Sequence, residues 1–308
     1  MKILVLGAAA GGGFPQWNCN CDNCHRVRQG DPALKPRTQS SLAVSANGND
    51  WILLNASPDI RQQLFENAAL HPSDGRRHSP IKACLLTNAD VDHTAGLLTL
   101  RERQPFNLYA TQRIHDVLTA SPVFNVMQAG FVDRHAFALN QPIRPTDPQG
   151  NSLGLEVTPF AIPGKVALYL EDTSQENFGS VDEDTIGLRV EAINSGKHFF
   201  YLPGCAAMPD WLSTKLANAP MVFMDASSWV DDEMSRQGVG EKTAARMGHM
   251  PVSGDNGSMA AFRPLNISRK VYIHINNTNP ILDENSEQHH EACADGWTIA
   301  IDGQEFTL

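Results

Sequence analysis

The sequence predicts an α+β protein in which two β-sheets pack face to face and helices cover the outer faces. Three observations support this prediction. Short runs rich in Val, Ile, Phe, Tyr and Leu recur along the whole chain between Gly, Pro, Asn and Asp residues, as is typical of strands. Helical patterns lie between some of these runs. The early strands follow one another directly, as in hairpins, whereas the later strands alternate with helices.

In chain order, the predicted strands are Lys2–Leu6, Ser41–Ser45, Trp51–Asn55, Ala83–Thr87, Leu108–Ala110, Leu155–Ala161, Val166–Leu170, Ile186–Glu191, His198–Leu202, Met221–Met224, Val271–Ile275 and Trp297–Ile301. The predicted helices are Asp59–Glu66, Thr94–Arg103, Thr111–Thr119, Pro209–Leu216 and Gly254–Phe262. Two polar stretches, Asn140–Ser152 and Glu171–Asp184, are predicted to be loops, and the second is expected to be a solvated surface loop.

The composition suits one large domain that spans residues 1–308. Hydrophobic residues make up 42% of the chain, which is enough for a sizeable core, and no repeat or linker divides the sequence. Lys and Arg number 24 against 34 Asp and Glu, which gives a net charge of −10. Because an acidic surface repels phosphate backbones, a nucleic-acid partner is disfavoured. No pattern in the sequence indicates an oligomeric state.

The first residues, Met1–Ala10, contain one lysine and a short apolar run that a signal peptide could also show. However, this run holds β-branched residues and then meets Gly11–Gly13, so we expect a first strand and a glycine-rich turn. No apolar stretch reaches the roughly 18 residues that a membrane span needs. We therefore expect a cytoplasmic protein whose cysteines are reduced. These cysteines stand at positions 19, 21, 24, 84, 205 and 293.

A cluster of three cysteines follows the first predicted strand. Cys19, Cys21 and Cys24 stand at C-x-C-x-x-C spacing. A tight loop can bring three such sulfurs around one tetrahedral ion, and zinc prefers that geometry. We predict a structural zinc site that holds this loop and contributes to folding stability. The candidates for its fourth ligand are His25, His274 and Asn277.

Two other interpretations of this cluster are weaker. Residues 21–25 match the C-x-x-C-H pattern that attaches haem covalently, but that chemistry generally requires export. A thioredoxin-like C-x-x-C pair opens a helix in a βαβ unit, and the approach to Cys21 is instead rich in glycine and contains a proline.

A second cluster lies between a predicted strand and a predicted helix, where residues 86–96 read Leu-Thr-Asn-Ala-Asp-Val-Asp-His-Thr-Ala-Gly. Two carboxylates, Asp90 and Asp92, and the imidazole of His93 fall within four residues, which suits a metal site with nitrogen and oxygen ligands. The alternative is a helix N-terminus, where an aspartate accepts hydrogen bonds from free backbone N–H groups. The spacing alone leaves both interpretations open.

The second cluster resembles the H-x-H-x-D-H-x-x-G motif of the metallo-β-lactamase superfamily. Asn88 and Asp90 stand where that motif has its two leading histidines. The remaining similarities are Asp59 in Ser-Pro-Asp, Tyr201–Cys205 at a strand end that normally carries a bridging aspartate, Gly248–Met250 as Gly-His-Met, and His274 as the final metal-binding histidine. The resemblance implies an αββα sandwich of two mixed sheets with helices on the outer faces.

The resemblance extends to the cysteines, because a phosphonate-pathway phosphodiesterase of this superfamily has a similar cluster. Its fourth zinc ligand is a histidine three positions after the final metal histidine, and Asn277 occupies that position here.

The departures from the motif imply that only half of the usual ligands remain. The first metal loses its two leading histidines, residues 160–165 offer no third histidine, and the bridging position is Gly204 or Cys205. A binuclear zinc hydrolase is therefore not expected. The resemblance retains Asp92, His93 and His274, and two histidines with one carboxylate form the facial triad of non-haem Fe(II) oxygenases.

Two further residues receive a role from the same resemblance. His249 is expected to act as an acid or base or to donate a hydrogen bond to a bound carboxylate. Asp90 is expected to be a fourth ligand or to position the substrate. The sequence does not select the metal, because zinc and other divalent ions also suit a His/His/Asp site.

Over essentially its full length, the chain resembles one branch of the superfamily that takes part in the biosynthesis of the redox cofactor pyrroloquinoline quinone (PQQ). PQQ is built from a cross-linked Glu–Tyr pair whose ring must gain oxygens. The resemblance thus implies Fe(II)- and O2-dependent hydroxylation of the tyrosine ring of the Glu–Tyr precursor. It also implies that Arg or Lys side chains bind the carboxylates of this precursor. The alternatives are a non-catalytic carrier of PQQ or its precursor that assists transport to the periplasm, and a residual hydrolase.

Overall fold

Two mixed β-sheets form the centre of the protein, as a computed structural model of residues 1–308 describes it. The first sheet contains β1 (Lys2–Gly7), β2 (Ser41–Ser45), β3 (Trp51–Leu54), β4 (Ile81–Leu85), β5 (Phe106–Thr111) and β6 (Val132–Phe137). The second contains β7 (Leu155–Ala161), β8 (Ile186–Ala192), β9 (His198–Leu202), β10 (Val222–Asp225), β11 (Lys270–Ile273) and β12 (Trp297–Ile299). The last strand, β13 (Glu305–Thr307), returns to the first sheet and pairs with β1.

Each sheet begins with antiparallel pairs and continues with parallel ones. The order in the first sheet is β13-β1-β2-β3-β4-β5-β6, and the pairs from β3 to β6 are parallel. The order in the second sheet is β12-β11-β10-β9-β8-β7, and the pairs from β9 to β12 are parallel. Parallel strands all end at the same edge of a sheet, so several loops converge there.

Buried apolar side chains form three layers, which defines an αββα sandwich. In β1, Ile3 and Val5 point between the sheets, where they join a cluster that includes Val190 of β8. Leu4 joins a second cluster, on the outer face of the first sheet. A third cluster covers the outer face of the second sheet. This alternation along a strand follows from the two-residue period of its side chains.

Helices and short 3₁₀ turns cover these outer faces. The helices are α1 (Asp22–Arg28), α2 (Ile60–Glu66), α3 (Val91–Thr94), α4 (Gln112–Ala120), α5 (Asp210–Leu216), α6 (Glu233–Arg236), α7 (Ala244–Met247), α8 (Ser258–Phe262) and α9 (Glu287–Ala294). The 3₁₀ turns are Ala68–Leu70, Ala95–Leu98, Pro122–Val126, Leu168–Leu170, Glu176–Gly179, Arg263–Leu265 and Pro280–Leu282. No helix is both long and apolar enough to cross a membrane.

Eleven of the twelve predicted strands are confirmed as strands within a few residues at their ends. The exception is Val166–Leu170, which follows Pro163 and Gly164 and contains a 3₁₀ turn, with Leu168 on the wall of the cavity. The predicted helix Thr94–Arg103 is also wrong in length, since α3 ends at Thr94 and only a 3₁₀ turn follows. The predictions omitted β6, β13, α1, α6, α7 and α9.

The stretch Glu171–Asp184 is a loop, but its description as solvated is wrong at both ends. The Glu171 side chain is 6% exposed and forms ion pairs with Lys165 and Arg246. At the other end, the Asp184 side chain is 5% exposed and pairs with Arg113. Acidic residues that meet cationic partners can be buried, and composition alone does not reveal those partners.

Candidate metal centre

The carboxyl ends of the parallel strands in both sheets meet at one polar cavity. It has a volume of about 270 Å³ and sixteen lining residues, of which only three are hydrophobic. The segment after β4, which includes α3, supplies Asp90, Asp92 and His93, and the end of β11 supplies His274. Backbone hydrogen bonding links the two edges, because the Ala10 N–H donates to the carbonyl oxygen of Ile275 at 2.8 Å. The size and polarity suit a small charged ligand.

Asp92, His93 and His274 come together across 182 residues of chain, as the sequence predicts. Asp92 Oδ2 lies 3.1 Å from His274 Nε2 and 3.9 Å from His93 Nε2. One carboxylate oxygen and one nitrogen from each imidazole lie within 4.8 Å of one another. All three donors therefore converge on one point, which is the arrangement that a single divalent ion requires.

The two ring nitrogens of His93 have different surroundings, and the difference tests the fit of a metal. Nδ1 lies 2.8 Å from Oδ1 of Asn88, whereas Nε2 is buried and has no hydrogen-bond partner. A buried polar atom without a partner is rare because its desolvation is uncompensated. Burial lowers the pKa of His93 to about 4, so the imidazole is neutral at pH 7. A neutral imidazole with an unpaired Nε2 is ready to coordinate a metal.

His274 occupies a strained backbone position at the end of β11, where its φ is +56°. Non-glycine residues rarely adopt this left-handed conformation, and such strain is concentrated at functional sites. Its Nδ1 lies 3.0 Å from Ser227 Oγ and 3.3 Å from Asp225 Oδ1. Burial opposes the charge on His274, but the hydrogen bonds to Asp225 and Asp92 raise its pKa to about 10. Metal binding therefore displaces a proton from this ring.

Asp225, at the end of β10, is a central acceptor that the sequence prediction missed. It is fully buried, and its Oδ2 lies 2.6 Å from His249 Nδ1. Its Oδ1 accepts hydrogen bonds from the N–H and the hydroxyl of Ser227. Asp225, His249 and His274 also lie close enough to suggest a second ion site. Both oxygens of Asp225 are engaged by these donors, and these contacts orient the two imidazoles.

Asp90 lies in the cavity beside the three converging donors. Burial and the charge of Asp92 raise the pKa of Asp90 to about 6. A carboxyl group that titrates near neutral pH can exchange a proton with a ligand. Asp90 also occupies the N-cap position of α3 without a capping side-chain bond, and Asp92 instead faces His274. Both aspartates stand at the N-terminus of α3, as the helix-capping alternative predicts, but the Asp90 side chain makes no capping hydrogen bond.

No carboxylate stands at the predicted bridging position after β9. Gly204 lines the cavity, and the Cys205 thiol is buried and donates to the carbonyl oxygen of Ala207. Asn88, which stands in place of a leading histidine, contacts His93 instead of facing the convergence point. The donors present fit one ion, and they do not form a second set around a shared bridge.

The three cysteines converge beside Asn277, which follows shortly after His274 in the sequence. The Asn277 side-chain nitrogen lies 3.1 Å from Cys19 Sγ, 3.6 Å from Cys21 Sγ and 3.3 Å from Cys24 Sγ. The three sulfurs lie within 4.8 Å of one another, as a zinc site needs. Because the nitrogen and oxygen of a carboxamide exchange places on a 180° rotation, Asn277 can present an oxygen at the same position.

The other candidates for the fourth ligand do not reach the sulfurs. His25 is exposed, and His274 belongs to the Asp92 cluster. Cys21 directly precedes α1, so this C-x-x-C pair does open a helix, contrary to the expectation. The third cysteine nevertheless lies with the other two, which favours metal binding over a redox pair.

Three residues of the site were not predicted, namely Asp225, Lys165 and Lys242. Asp225 had a usable signal, because it is a carboxylate directly after the buried apolar run Met221–Met224, where a parallel strand ends. Lys165 and Lys242 line the cavity from two separate loops, and no spacing in the sequence connects them.

Comparisons with known proteins agree with this fold. The family model described as a beta-lactamase superfamily domain matches residues 50–275. Coenzyme PQQ synthesis protein B of Methylobacterium sp. (strain 4-46) is 51% identical over 308 residues and covers 100% of both chains. The crystal structure of Zn²⁺-bound PqqB from Methylobacterium extorquens has a TM-score of 0.95, with 50% identity over 100% of both chains. A diphosphatase of the PhnP family shares the fold alone, with 20% identity, a TM-score of 0.68 and coverage of 99% and 96%.

The fold and the clustered donors thus define a protein of the metallo-β-lactamase class. Within that class, the chain belongs to the family of coenzyme PQQ synthesis B proteins, and it takes part in PQQ biosynthesis.

Proposed function

We propose that the protein is an Fe(II)-dependent hydroxylase that adds oxygen to the tyrosine ring of a Glu–Tyr-derived precursor of PQQ. The observation that carries this proposal is the buried, unpartnered Nε2 of His93, which faces the carboxylate of Asp92 beside His274. Two histidines and one carboxylate leave coordination positions free, and non-haem iron oxygenases use such positions for oxygen and substrate.

In this proposal Asp92, His93 and His274 hold the ion. A bound Fe(II) would supply the electron-transfer chemistry that lets O2 react with an aromatic ring. The absence of a bridging carboxylate at Gly204 and Cys205 favours one ion over the pair that a hydrolase of this superfamily uses. Zinc fits the same donors but carries out no redox chemistry, so a zinc-loaded protein is expected to bind substrate without turnover.

The chemical balance of the step sets its requirements. One oxygen atom of O2 enters the ring by replacing a C–H bond with C–OH, and the other oxygen leaves as water. This exchange consumes two electrons and two protons, which an external reductant and the solvent supply. Asp90 and His249 both line the cavity and are placed to move protons, because Asp90 titrates near pH 6 and Asp225 holds Nδ1 of His249.

The test is single-turnover chemistry on the Glu–Tyr dipeptide. Protein loaded anaerobically with Fe(II) is mixed with the dipeptide and ascorbate and then exposed to ¹⁸O2, and the products are analysed by mass spectrometry. We expect incorporation of one ¹⁸O atom per step. His93→Ala should give none, and His198→Ala, which changes a histidine away from the cavity, should react as the wild type does. Absence of ¹⁸O with iron demonstrably bound would contradict the proposal.

A carrier role is the second candidate, and the cavity favours it independently of the metal. Two lysines line the cavity, and their charges suit a polycarboxylate such as PQQ. Tight PQQ binding without turnover under the conditions above would support the carrier. In either role we place the protein in the cytoplasm, because no disulfide joins any of the six cysteines, as a reducing compartment requires.

A further inference from the structure

Two lysines at the rim of the cavity take no part in the metal chemistry described above. Lys165 follows β7 and Lys242 precedes α7, and both line the cavity that contains Asp92. These two are the only lysine or arginine side chains on the cavity wall, which also carries the carboxylates of Asp90 and Asp92. We propose that Lys165 and Lys242 form a clamp for the carboxylates of the substrate, which makes the ligand a small polycarboxylate. The choice of the Glu–Tyr precursor as this ligand rests on the proposed function.

Lys165 is held in place by the surrounding structure. Its ammonium lies 2.7 Å from Glu171 Oε1, and the same carboxylate also binds Arg246 of α7. The Lys165 side chain is only 13% exposed, so its position is well defined. Because Arg246 balances the charge of Glu171, the group of three keeps a net positive charge beside the cavity.

Gly248 makes room for the aliphatic stem of Lys165. A Cβ atom at this position would lie 2.9 Å from Lys165 Cγ, and the φ of Gly248 is +88°. Both the close approach and the left-handed backbone require glycine. The Gly-His-Met motif therefore places two side chains at the cavity. Its glycine leaves space for the stem of Lys165, and its histidine is His249.

Lys242 differs from Lys165 because its ammonium is unpaired. No hydrogen bond or ion pair engages this side chain, although it lies on the cavity wall. An unpaired ammonium breaks no ion pair within the protein when it binds a carboxylate ligand. Substitution of Lys242 is therefore the more direct test of the clamp. The apolar side chains of Leu168 and Met247 also line this cavity and offer a surface for an aromatic ring. A ligand with carboxylates and one ring matches this combination.

Isothermal titration of the zinc-loaded protein with the Glu–Tyr dipeptide tests the clamp without turnover. We expect Lys242→Gln to weaken binding about tenfold and Lys165→Gln by about 10- to 100-fold, as the loss of a charge-assisted hydrogen bond predicts. Lys242→Arg should retain most of the affinity. Lys197→Gln is a matched control. It removes the same charge at the end of β9 that lies opposite the cavity, so it should leave the affinity unchanged.

The dimethyl ester of the dipeptide completes a double-mutant cycle. The ester should bind the wild type weakly and should lose nothing further in Lys242→Gln. If both lysine variants bind the free acid as tightly as the wild type does, the clamp is wrong even where ¹⁸O incorporation succeeds. If the variants lose affinity but no oxygen is incorporated, the clamp stands and the hydroxylase proposal fails. Lys242→Gln removes no internal contact, so misfolding does not complicate its result.

Discussion

Asn88 Oδ1 lies 2.8 Å from His93 Nδ1 and also accepts a hydrogen bond from the backbone N–H of Asp90 at 3.1 Å. Asn88 replaces a leading histidine of the superfamily motif. It therefore does not bind the metal itself but holds the ring of His93, which we propose as a ligand. By accepting from Nδ1, Asn88 selects the tautomer in which Nε2 of His93 is unprotonated and free to coordinate.

Removal of this support should weaken metal binding without touching the three ligands. For Asn88→Ala we expect a loss of metal affinity of about 10- to 100-fold, as is typical when a ligand histidine loses its partner. Asn88→Asp keeps the acceptor and should retain the affinity. Competition titration with a chromogenic chelator measures both variants, and equal affinity of Asn88→Ala and wild type would show that Asn88 does not support His93.

Asp225 should matter for stability as well as for the site. Asp225→Asn removes the carboxylate partner of His249 and leaves His274 with Asp92 alone, and loss of one partner from a buried charged network costs about 3 kcal/mol. Urea denaturation of the metal-free protein measures this loss. Asp210→Asn, at the exposed start of α5, should change the free energy of unfolding by less than about 0.5 kcal/mol. Similar values for the two variants would argue against a central role of Asp225.

The two metal sites should be separable by mutation. The wild-type protein is expected to hold one zinc at the cysteines and one divalent ion at Asp92, His93 and His274. Cys24→Ser should remove the first ion and lower the unfolding midpoint, because structural zinc contributes to folding. His93→Ala should remove only the second. Metal analysis after dialysis counts the ions, and retention of both by Cys24→Ser would contradict the cysteine site.

Asn277 gives a finer test of the cysteine site. Asn277→Ala removes the only non-sulfur side chain that touches all three sulfurs, so zinc should dissociate faster. Asn277→His supplies the ligand that the related phosphodiesterase uses and should hold zinc at least as tightly as the wild type. Zinc release to a coloured indicator measures both rates, and an unchanged rate in Asn277→Ala would exclude Asn277 as a ligand.

Glu233 should give the protein a pH-dependent stability. Burial raises its pKa to about 7, and it accepts a hydrogen bond from the Trp229 N–H at 2.6 Å. Since the folded state binds the proton more tightly than the unfolded state does, this group stabilises the protein at low pH. That contribution is lost as the pH rises from about 4.5 to about 7. Denaturation of wild type and Glu233→Gln across this range should show a smaller pH slope in the variant, and equal slopes would contradict the assignment.

The sequence predicted most of the strands and the three side chains that cluster in the cavity, because both leave local signals. Apolar runs mark buried strands, and Asp92-His93 is recognisable from a motif. Asp225 was missed although it ends a buried strand, since only the fold brings it to His249 and His274. The short helices α6 and α7 were missed because each has four residues and is held by tertiary contacts rather than by helical periodicity.

Lys165 shows a different limit of sequence analysis. Its neighbours Glu171 and Arg246 are 6 and 81 positions away, and no pattern links them before the loops fold together. The same contacts explain why a loop that composition marks as solvated has a buried carboxylate.

The central claim is that one metal ion is held by Asp92, His93 and His274, with Asn88 and Asp225 outside its coordination sphere. Anomalous diffraction at the iron edge, from crystals grown anaerobically with Fe(II), tests this claim directly. The account predicts a single iron peak within coordination distance of those three side chains and none between Asp225 and His249. Two iron peaks in the cavity, or one peak bound by Asp225 and His249, would contradict it.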